Sequence, residues 1–371
     1  MPAIFTEGQR LRSLAESLVT GSDRASDAVR ARVRRITGYR GPLIIMPYLG
    51  YGTRERLRLQ GRVLRDTGFV PSTRADTALR NLLNMYKRFE TDEVPGARLR
   101  ARFRDTEVEA TADGEGYFSV ELAPPDGVEG GRWHAVDLEL LEPLPGVTAT
   151  GRVFVPASDA KLGVISDIDD TVISSHVTQK LKMVLTVILA NEHTRLPFPG
   201  VAELYRALQT GAGGTEQNPV FYLSNSPWNL YTLIVEFLRV NDLPEGPLML
   251  RDFGDELLFA DHTVKRKAQC IERLFETYPA LDFVLIGDSG EEDPEIYSEV
   301  VRRHPDRVRV IYIRSVDRSP ARLAAIDRLI EEVRPTGCQL VLAPDSTFAA
   351  AHAAAEGLIS TAALAQVRAK C

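Results

Sequence analysis

The sequence holds few of the residues that build disulfide or metal-clustered scaffolds. Its three cysteines, Cys270, Cys338 and Cys371, are widely spaced in a chain of 371 residues. They form neither a disulfide framework nor a CxxC metal site. Because such scarcity is typical of proteins in a reducing compartment, the cysteine count favours the cytoplasm.

Long apolar runs are also absent. A membrane-spanning helix needs about 20 predominantly apolar residues, and the longest apolar run, at 183–190, is much shorter. The N-terminal segment has no basic region leading into an apolar stretch, so we expect no secretory signal. These absences predict a cytoplasmic protein and leave open only a peripheral contact with membranes.

The chain as a whole lacks the basic excess that nucleic-acid-binding proteins usually carry. Its formal net charge is −6, so we expect no nucleic-acid partner. The charge is nevertheless divided, because residues 1–104 hold 21 basic and 10 acidic residues, whereas residues 105–160 hold 2 and 12. The basic excess, which includes five arginines between 30 and 40, either contacts an anionic membrane or pairs with the acidic stretch inside the protein.

The remaining composition is typical of a globular protein, and the length predicts two domains or three. Residues 1–38 have the apolar spacing of an N-terminal helical segment. From 39 to 158, short β-rich segments separated by turns predict a small antiparallel β-sandwich domain, with a helical insertion near 77–89. From 159 to 371, apolar strands alternate with helices, which predicts an α/β domain built on a doubly wound parallel sheet.

Polar side chains follow the predicted parallel strands. Ligands of such sheets bind beyond the carboxyl ends of the strands, so these side chains are the candidates for chemistry. They are Asp167, Asp169 and Thr171 after the first strand, Ser224 and Asn225 after the second, Asp288 and Asp293 after the fourth, and Lys267 on a helix between. Clustered carboxylates suit a hard cation such as Mg²⁺, while a hydroxyl and an ammonium suit phosphoryl oxygens. The set therefore predicts phosphoryl transfer.

The segments SDIDDT, FYLSNSPW and IGDSGEEDPEIY, with Lys267 before the last, resemble the motifs of the haloacid dehalogenase-like phosphatases. In this order they are most similar to the actin-patch-associated phosphatidate phosphatase family in its bacterial, two-domain form. The resemblance covers about 160–360 and extends by shorter segments into the β-rich region. It implies a haloacid dehalogenase-like catalytic domain with Mg²⁺ as its cofactor. It also implies phosphatidate or a related phospholipid as substrate, with diacylglycerol and phosphate as products.

The resemblance also implies a role for each candidate residue. The catalytic group is Asp167 as the nucleophile that forms an aspartyl-phosphate, Asp169 as general acid and base, Thr171, Ser224 and Lys267. The substrate is bound by Ser224, Asn225, Lys267 and Trp228. The metal is held by Asp167, Asp169, Asp288 and Asp293. The sequence departs from the family at Arg266, where a histidine is usual.

Several alternatives stay open. Lys265 is the rival of Lys267 as the phosphate-binding lysine. Asn225 or Ser226 caps a helix, with Trp228 as a packing residue, if these side chains do not face the substrate. The same chemistry fits a soluble phosphomonoester as well as a lipid. A non-catalytic lipid-binding or adaptor protein with a relict site ranks last, because the sequence contains every acid, serine and lysine that the chemistry needs.

Overall fold

The computed structural model describes residues 41–65, 92–168, 199–251 and 260–371. Several of the predictions above fall outside these ranges. They concern the N-terminal helical segment at 1–38 with its arginines, the helical insertion near 77–89, and the side chains of Asp169 and Thr171.

Hydrogen bonds connect the first nine strands into one network. The strands are β1 (Leu43–Pro47), β2 (Leu49–Gly52), β3 (Leu57–Arg65), β4 (Asp92–Glu93), β5 (Arg98–Phe103), β6 (Thr106–Thr111), β7 (Tyr117–Leu122), β8 (Arg132–Glu142) and β9 (Thr148–Val155). Seven of them lie side by side in the order β1-β3-β2-β9-β8-β5-β6, and β4 and β7 pair with β3. Strand β2 pairs with β9 in parallel, whereas the other pairs are antiparallel. The antiparallel sandwich therefore stays a prediction.

Alternating burial along these strands builds a separate hydrophobic core. In β7, Phe118, Val120 and Leu122 are buried, and the residues between them are exposed or half-buried. Successive side chains of a strand point to opposite faces, so such alternation is typical of a sheet with one covered face. These residues join one cluster with Leu57 of β3 and Val136 of β8.

The outer face of β5 explains part of the divided charge. Its three arginines, Arg98, Arg100 and Arg102, face acidic residues on the neighbouring strands. Arg98, for example, contacts both Glu109 of β6 at 3.0 Å and Glu142 of β8 at 2.8 Å. Basic residues from the first part of the chain therefore form ion pairs with the acidic stretch that follows in the same chain, on the protein surface.

Six parallel strands form the second sheet. They are β10 (Leu162–Asp167), β11 (Val220–Pro227), β12 (Leu248–Arg251), β13 (Asp282–Asp288), β14 (Val308–Arg314) and β15 (Gln339–Ala343). Their order is β12-β11-β10-β13-β14-β15, so the chain progresses in opposite directions on the two sides of β10. All six residues of β10 are buried, as expected for a strand that is covered on both faces. The predicted parallel sheet is confirmed.

Helices cover both faces of this sheet. Within the described residues they are α1 (Val201–Thr210), α2 (Tyr231–Val240), α3 (Ala260–Thr277), α4 (Asp293–Arg303), α5 (Pro320–Val333), α6 (Ser346–Ala355) and α7 (Thr361–Lys370). Residues of α1, α2, α6 and α7 share one core with Val164 of β10. Residues of α3, α4 and α5 share the other core with its neighbour Ile165. None of these helices is both long and apolar enough to cross a bilayer.

Aromatic side chains form contacts between the β-rich region and the parallel-sheet region. Tyr48 stacks on Trp228 with 4.3 Å between ring centroids. The main-chain N–H of Leu49 donates a hydrogen bond of 2.7 Å to the Tyr231 hydroxyl. Tyr48 is buried in the same core as α1 and α2, so the β-rich region packs directly beside the segment that follows Ser224. The domain boundaries at 38 and 158 themselves stay a prediction.

Candidate active site

The carboxyl ends of the central strands bring three predicted aspartates to one edge of the sheet. Asp167 is the last residue of β10, Asp288 is the last residue of β13, and Asp293 is the first residue of α4. Strand β10 pairs in parallel with both β11 and β13, so these ends lie side by side. All three aspartates are fully buried. Such burial is rare for carboxylates unless cations or hydrogen bonds compensate them.

Lys267 lies at the centre of this group. Its Nζ is 2.7 Å from Oδ1 of Asp167 and 2.6 Å from Oδ1 of Asp293. The Oε2 atom of Glu291 is 3.3 Å away. The lysine side chain is 1% exposed, so this is a buried ion cluster rather than a solvated surface pair. The position of Lys265 is part of α3, but its side chain lies outside the described residues.

The charges of this cluster perturb each other. Burial alone lowers the pKa of Lys267, but Asp167 and Asp293 outweigh it, and the pKa of the ammonium lies well above its ordinary value. Burial raises the pKa of Asp293, Lys267 offsets this only in part, and the negative charge of Glu291 raises it further. The cluster is therefore short of positive charge.

The loop from Asp288 to Asp293 is held by its own side chains. Oδ1 of Asp288 accepts hydrogen bonds from the main-chain N–H groups of Gly290 at 2.6 Å and Glu291 at 3.1 Å. A Cβ atom on Gly287 would stand 2.3 Å from Oδ2 of Asp293. Glycine at 287 is therefore what allows the Asp293 carboxylate to come this close to the strand.

Ser224 is buried in β11, next to the register partner of Asp167. Its Oγ accepts a hydrogen bond of 2.9 Å from the main-chain N–H of Ser226. Arg266 donates to the carbonyl oxygens of Ser224 at 2.6 Å and Leu250 at 3.0 Å. Arg266 therefore holds the main chain of the serine segment.

The two remaining candidate side chains in this segment have different surroundings. The Asn225 amide oxygen is half-buried and lies 3.5 Å from Nη2 of Arg266. Trp228 is buried and packs on Tyr48. α2 begins at Tyr231 with Leu230 as its N-cap, so neither Asn225 nor Ser226 caps this helix. A substrate contact for Asn225 or Trp228 stays a prediction.

A layer of polar residues lies behind the aspartates. The hydroxyls of Tyr205 and Ser166 are 2.5 Å apart, and Ser166 donates a 2.9 Å hydrogen bond to the main-chain carbonyl of Asp167. Burial raises the pKa of Tyr205 to about 12, so its hydroxyl keeps its proton. Arg314 is the register partner of Asp288, and burial lowers its pKa to about 9, which leaves it cationic at neutral pH.

Sequence reasoning missed two residues at this edge. Glu291 lies in the acidic run that the sequence pointed to, yet only its neighbours Asp288 and Asp293 received a role. Arg322 of α5 had no sequence signal. Its guanidinium donates to the carbonyl oxygens of Ser289 at 2.7 Å and Glu291 at 2.6 Å, and it also binds the carboxylate of Glu295.

The donor set fits a hard divalent cation. Ligand oxygens of Asp167, Glu291 and Asp293 lie within 4.8 Å of one another, and Asp288 ends the neighbouring strand. The centre of that trio is taken by the Lys267 ammonium, so a metal ion would lie beside it rather than at the same point. Within the part of the chain that the structure describes, three of these four carboxylates share the single charge of Lys267, and the fourth, Asp288, interacts electrostatically with Arg314 and Arg322. The surplus of buried negative charge and the all-oxygen donors are what Mg²⁺ requires.

Comparison with known families supports this chemistry. Residues 162–315 match the family model described as "Phosphatidate phosphatase APP1, catalytic domain". The chain is 31% identical over 160 residues to phosphatidate phosphatase APP1 of Saccharomyces cerevisiae, an alignment that covers 43% of this chain and 26% of that protein. It is 30% identical over 212 residues to an uncharacterized protein of Schizosaccharomyces pombe, covering 54% and 33%. The chain thus spans about a quarter to a third of the length of these curated relatives.

Solved structures add little. A β-glucuronidase of Bifidobacterium dentium matches with a TM-score of 0.26 and 11% identity, covering 80% of this chain and 52% of that one. A ferredoxin-NADP⁺ reductase of Plasmodium falciparum matches with a TM-score of 0.18 and 7% identity, covering 73% and 95%. Likeness at this level carries no argument. Over residues 162–315, which include Asp167, Ser224, Lys267, Asp288 and Asp293, the chain is similar to the phosphatidate phosphatase APP1 catalytic domain.

Proposed function

We propose that this protein is a Mg²⁺-dependent phosphatase that hydrolyses phosphatidate, or a related phospholipid, through an aspartyl-phosphate. The observation that carries the proposal is the buried cluster of Asp167, Lys267 and Asp293 at the carboxyl ends of parallel strands. It lies inside the region that matches a phosphatidate phosphatase catalytic domain. The haloacid dehalogenase-like fold is part of the same proposal, supported by the motif order and the parallel sheet.

The binding step uses the side chains that can donate to phosphoryl oxygens. Lys267 supplies an ammonium group, and Ser224 supplies a hydroxyl group. Arg266 holds the main chain of Ser224 through a hydrogen bond to its carbonyl oxygen. Phosphoryl transfer depends mainly on positioning and on electrostatic stabilisation of the oxygens. Both groups lie in a buried site, where charges act more strongly than they do in water.

The covalent step begins with a carboxylate oxygen of Asp167, which attacks the phosphorus. The bond between phosphorus and the lipid oxygen breaks, and Asp169 donates a proton to that oxygen, so diacylglycerol leaves. Asp169 then takes a proton from a water molecule, whose oxygen attacks the phosphorus of the aspartyl-phosphate. The acyl-phosphate bond breaks, phosphate leaves, and Asp167 and Asp169 return to their starting states. Thr171 orients these groups.

The metal would be held by Asp167, Asp288 and Asp293, with Asp169 completing the set. When bound, Mg²⁺ neutralises negative charge on the phosphoryl group and on the carboxylates that surround it. Two contacts of the described carboxylates support this assignment. Asp288 accepts two main-chain hydrogen bonds, and Asp293 is fixed by Lys267.

The lipid substrate and the cellular location rest on other support. The yeast relative is a phosphatidate phosphatase, which favours a lipid over a soluble ester. We place the protein in the cytoplasm, with peripheral contact to anionic membrane through the basic N-terminal region, and without a nucleic-acid partner. Part of that region's charge is already neutralised on β5, so the membrane contact would use basic residues other than Arg98, Arg100 and Arg102.

The test is phosphate release from phosphatidate-containing vesicles, measured with Mg²⁺ and with chelator, for the wild-type protein and for Asp167→Asn. Wild-type turnover should need Mg²⁺, and the variant should lose nearly all of it while remaining folded. Turnover of soluble phosphomonoesters without lipid turnover would replace the lipid by a soluble substrate. Unchanged turnover in Asp167→Asn would refute the mechanism, and absence of any wild-type turnover would favour a relict site.

A further inference from the structure

We propose that the Glu291 carboxylate occupies the position on Lys267 that a phosphoryl oxygen takes when substrate binds. Glu291 would then be a specificity-determining residue that the substrate's phosphate has to displace. The inference rests on the proposed function, because it takes Lys267 as the phosphate-binding lysine. It assigns a role to a residue that neither the motif pattern nor the comparisons had singled out.

The lysine ammonium has as many donors as it has carboxylate neighbours. An ammonium group has three N–H donors and no acceptor. Three carboxylate oxygens, from Asp167, Asp293 and Glu291, surround Nζ of Lys267 within 3.3 Å. A phosphoryl oxygen can therefore bind this ammonium well only if one of the three carboxylates withdraws.

Exposure and distance indicate which carboxylate withdraws. The side chains of Asp167 and Asp293 are 0% exposed, and their oxygens lie 2.7 and 2.6 Å from Nζ. The Glu291 side chain is 17% exposed, and its contact is the longest of the three at 3.3 Å. Glu291 thus loses the weakest contact when it moves, and it is the one carboxylate of the trio that has solvent to move into.

The main chain of Glu291 stays in place during this movement. Its N–H donates to Oδ1 of Asp288 at 3.1 Å, and its carbonyl oxygen accepts from Nη2 of Arg322 at 2.6 Å. Arg322 is anchored in turn by the carboxylate of Glu295. Rotation of the glutamate side chain therefore frees Lys267 without disturbing Asp288 or Asp293 on the same loop.

A competing carboxylate has a consequence for substrate choice. When a ligand displaces Glu291, the negative charge of this carboxylate moves away from Lys267 and the charge of the ligand takes its place. A phosphomonoester dianion recovers more electrostatic energy in this exchange than a phosphodiester monoanion does. The arrangement therefore favours substrates with a terminal phosphate, such as phosphatidate, over phospholipids whose phosphate is esterified twice.

The experiment compares Glu291→Gln with Glu292→Gln in the full chain. Both variants remove one negative charge, but the Glu292 side chain is exposed and outside the Lys267 cluster. Calorimetric titration with inorganic phosphate in the presence of Mg²⁺ measures occupancy of the subsite directly. We expect Glu291→Gln to bind phosphate about fivefold more tightly, roughly 1 kcal/mol at 25 °C. Its KM should fall similarly, and Glu292→Gln should match the wild type.

Each other outcome is decisive. Equal or weaker phosphate binding by Glu291→Gln would overturn the inference, as would a rise in the Mg²⁺ concentration needed for half-maximal binding, because Glu291 would then hold the metal. Failure of the wild-type protein to bind phosphate would also overturn it. Phosphate binding that responds to the variant as expected, without turnover of any phosphomonoester, would support the subsite and refute only the proposed function.

Discussion

Replacing Lys267 with methionine removes the positive charge of the buried cluster and keeps most of the side-chain volume. Asp167 and Asp293, both fully buried, would then lose an ammonium that lies 2.7 and 2.6 Å away. Breaking a buried ion pair in this way costs about 3–5 kcal/mol, because a charge is left without compensation. For a domain of this size, 1 kcal/mol shifts the melting temperature by about 2–4 °C. We therefore expect Lys267→Met to lower the melting temperature by roughly 6–20 °C.

The pH dependence of this loss follows from the carboxylates that remain. In the wild-type protein the pKa of Lys267 is raised. Its stabilising contribution is thus complete below the unfolded-state pKa of about 10.4 and is lost only as pH rises through the folded-state pKa. In Lys267→Met the raised pKa of Asp293 loses the ammonium that partly offsets it, so this buried carboxylate destabilises the fold above its unfolded-state pKa of about 3.9. The loss of stability in Lys267→Met should be complete at pH 7 and should become smaller as the pH approaches 4.

The assay is thermal unfolding of the full chain at pH 7 and at pH 4.5, with and without Mg²⁺. Lys161→Met is the matched control, because Lys161 is exposed. Added Mg²⁺ should restore part of the lost stability, since it compensates the same carboxylates. The reasoning fails if Lys267→Met melts within about 2 °C of the control at pH 7, or if its deficit grows on acidification.

Substitutions at two further residues test the main chain and the side chains that hold the cluster in place. Gly287→Ala places a Cβ 2.3 Å from Oδ2 of Asp293, so we expect about 1–3 kcal/mol of destabilisation and weaker Mg²⁺ binding by calorimetry; unchanged values would mean that the carboxylate moves freely. Arg322→Ala removes the donors to the Ser289 and Glu291 carbonyls and should cost about 1–3 kcal/mol in thermal unfolding. Arg322→Lys should recover little of the lost stability, because one ammonium group cannot replace the several planar N–H donors of a guanidinium. Full recovery would show that the guanidinium geometry is not needed.

The fold of the second domain was largely predictable from local patterns. Six nearly continuous apolar runs, such as the one that becomes β10, are typical of strands covered on both faces, and all six are strands of the parallel sheet. The β-rich region was harder to predict. Alternation identifies a half-covered strand but not its partner, so the parallel pairing of β2 with β9 could not be read from the chain.

The candidate site divides in the same way. Local patterns of burial and turns correctly predicted that Asp167 and Asp288 end buried strands, whereas β11 continues past Ser224 to Pro227. Parallel pairing then brings such ends to one edge. The tertiary structure alone decided which side chains meet there. Lys267 and Glu291 are 24 positions apart, Ser224 and Arg266 are 42 apart, and Ser289 and Arg322 are 33 apart. Contacts between residues so distant in sequence depend on how helices pack on the sheet, which no local pattern specifies.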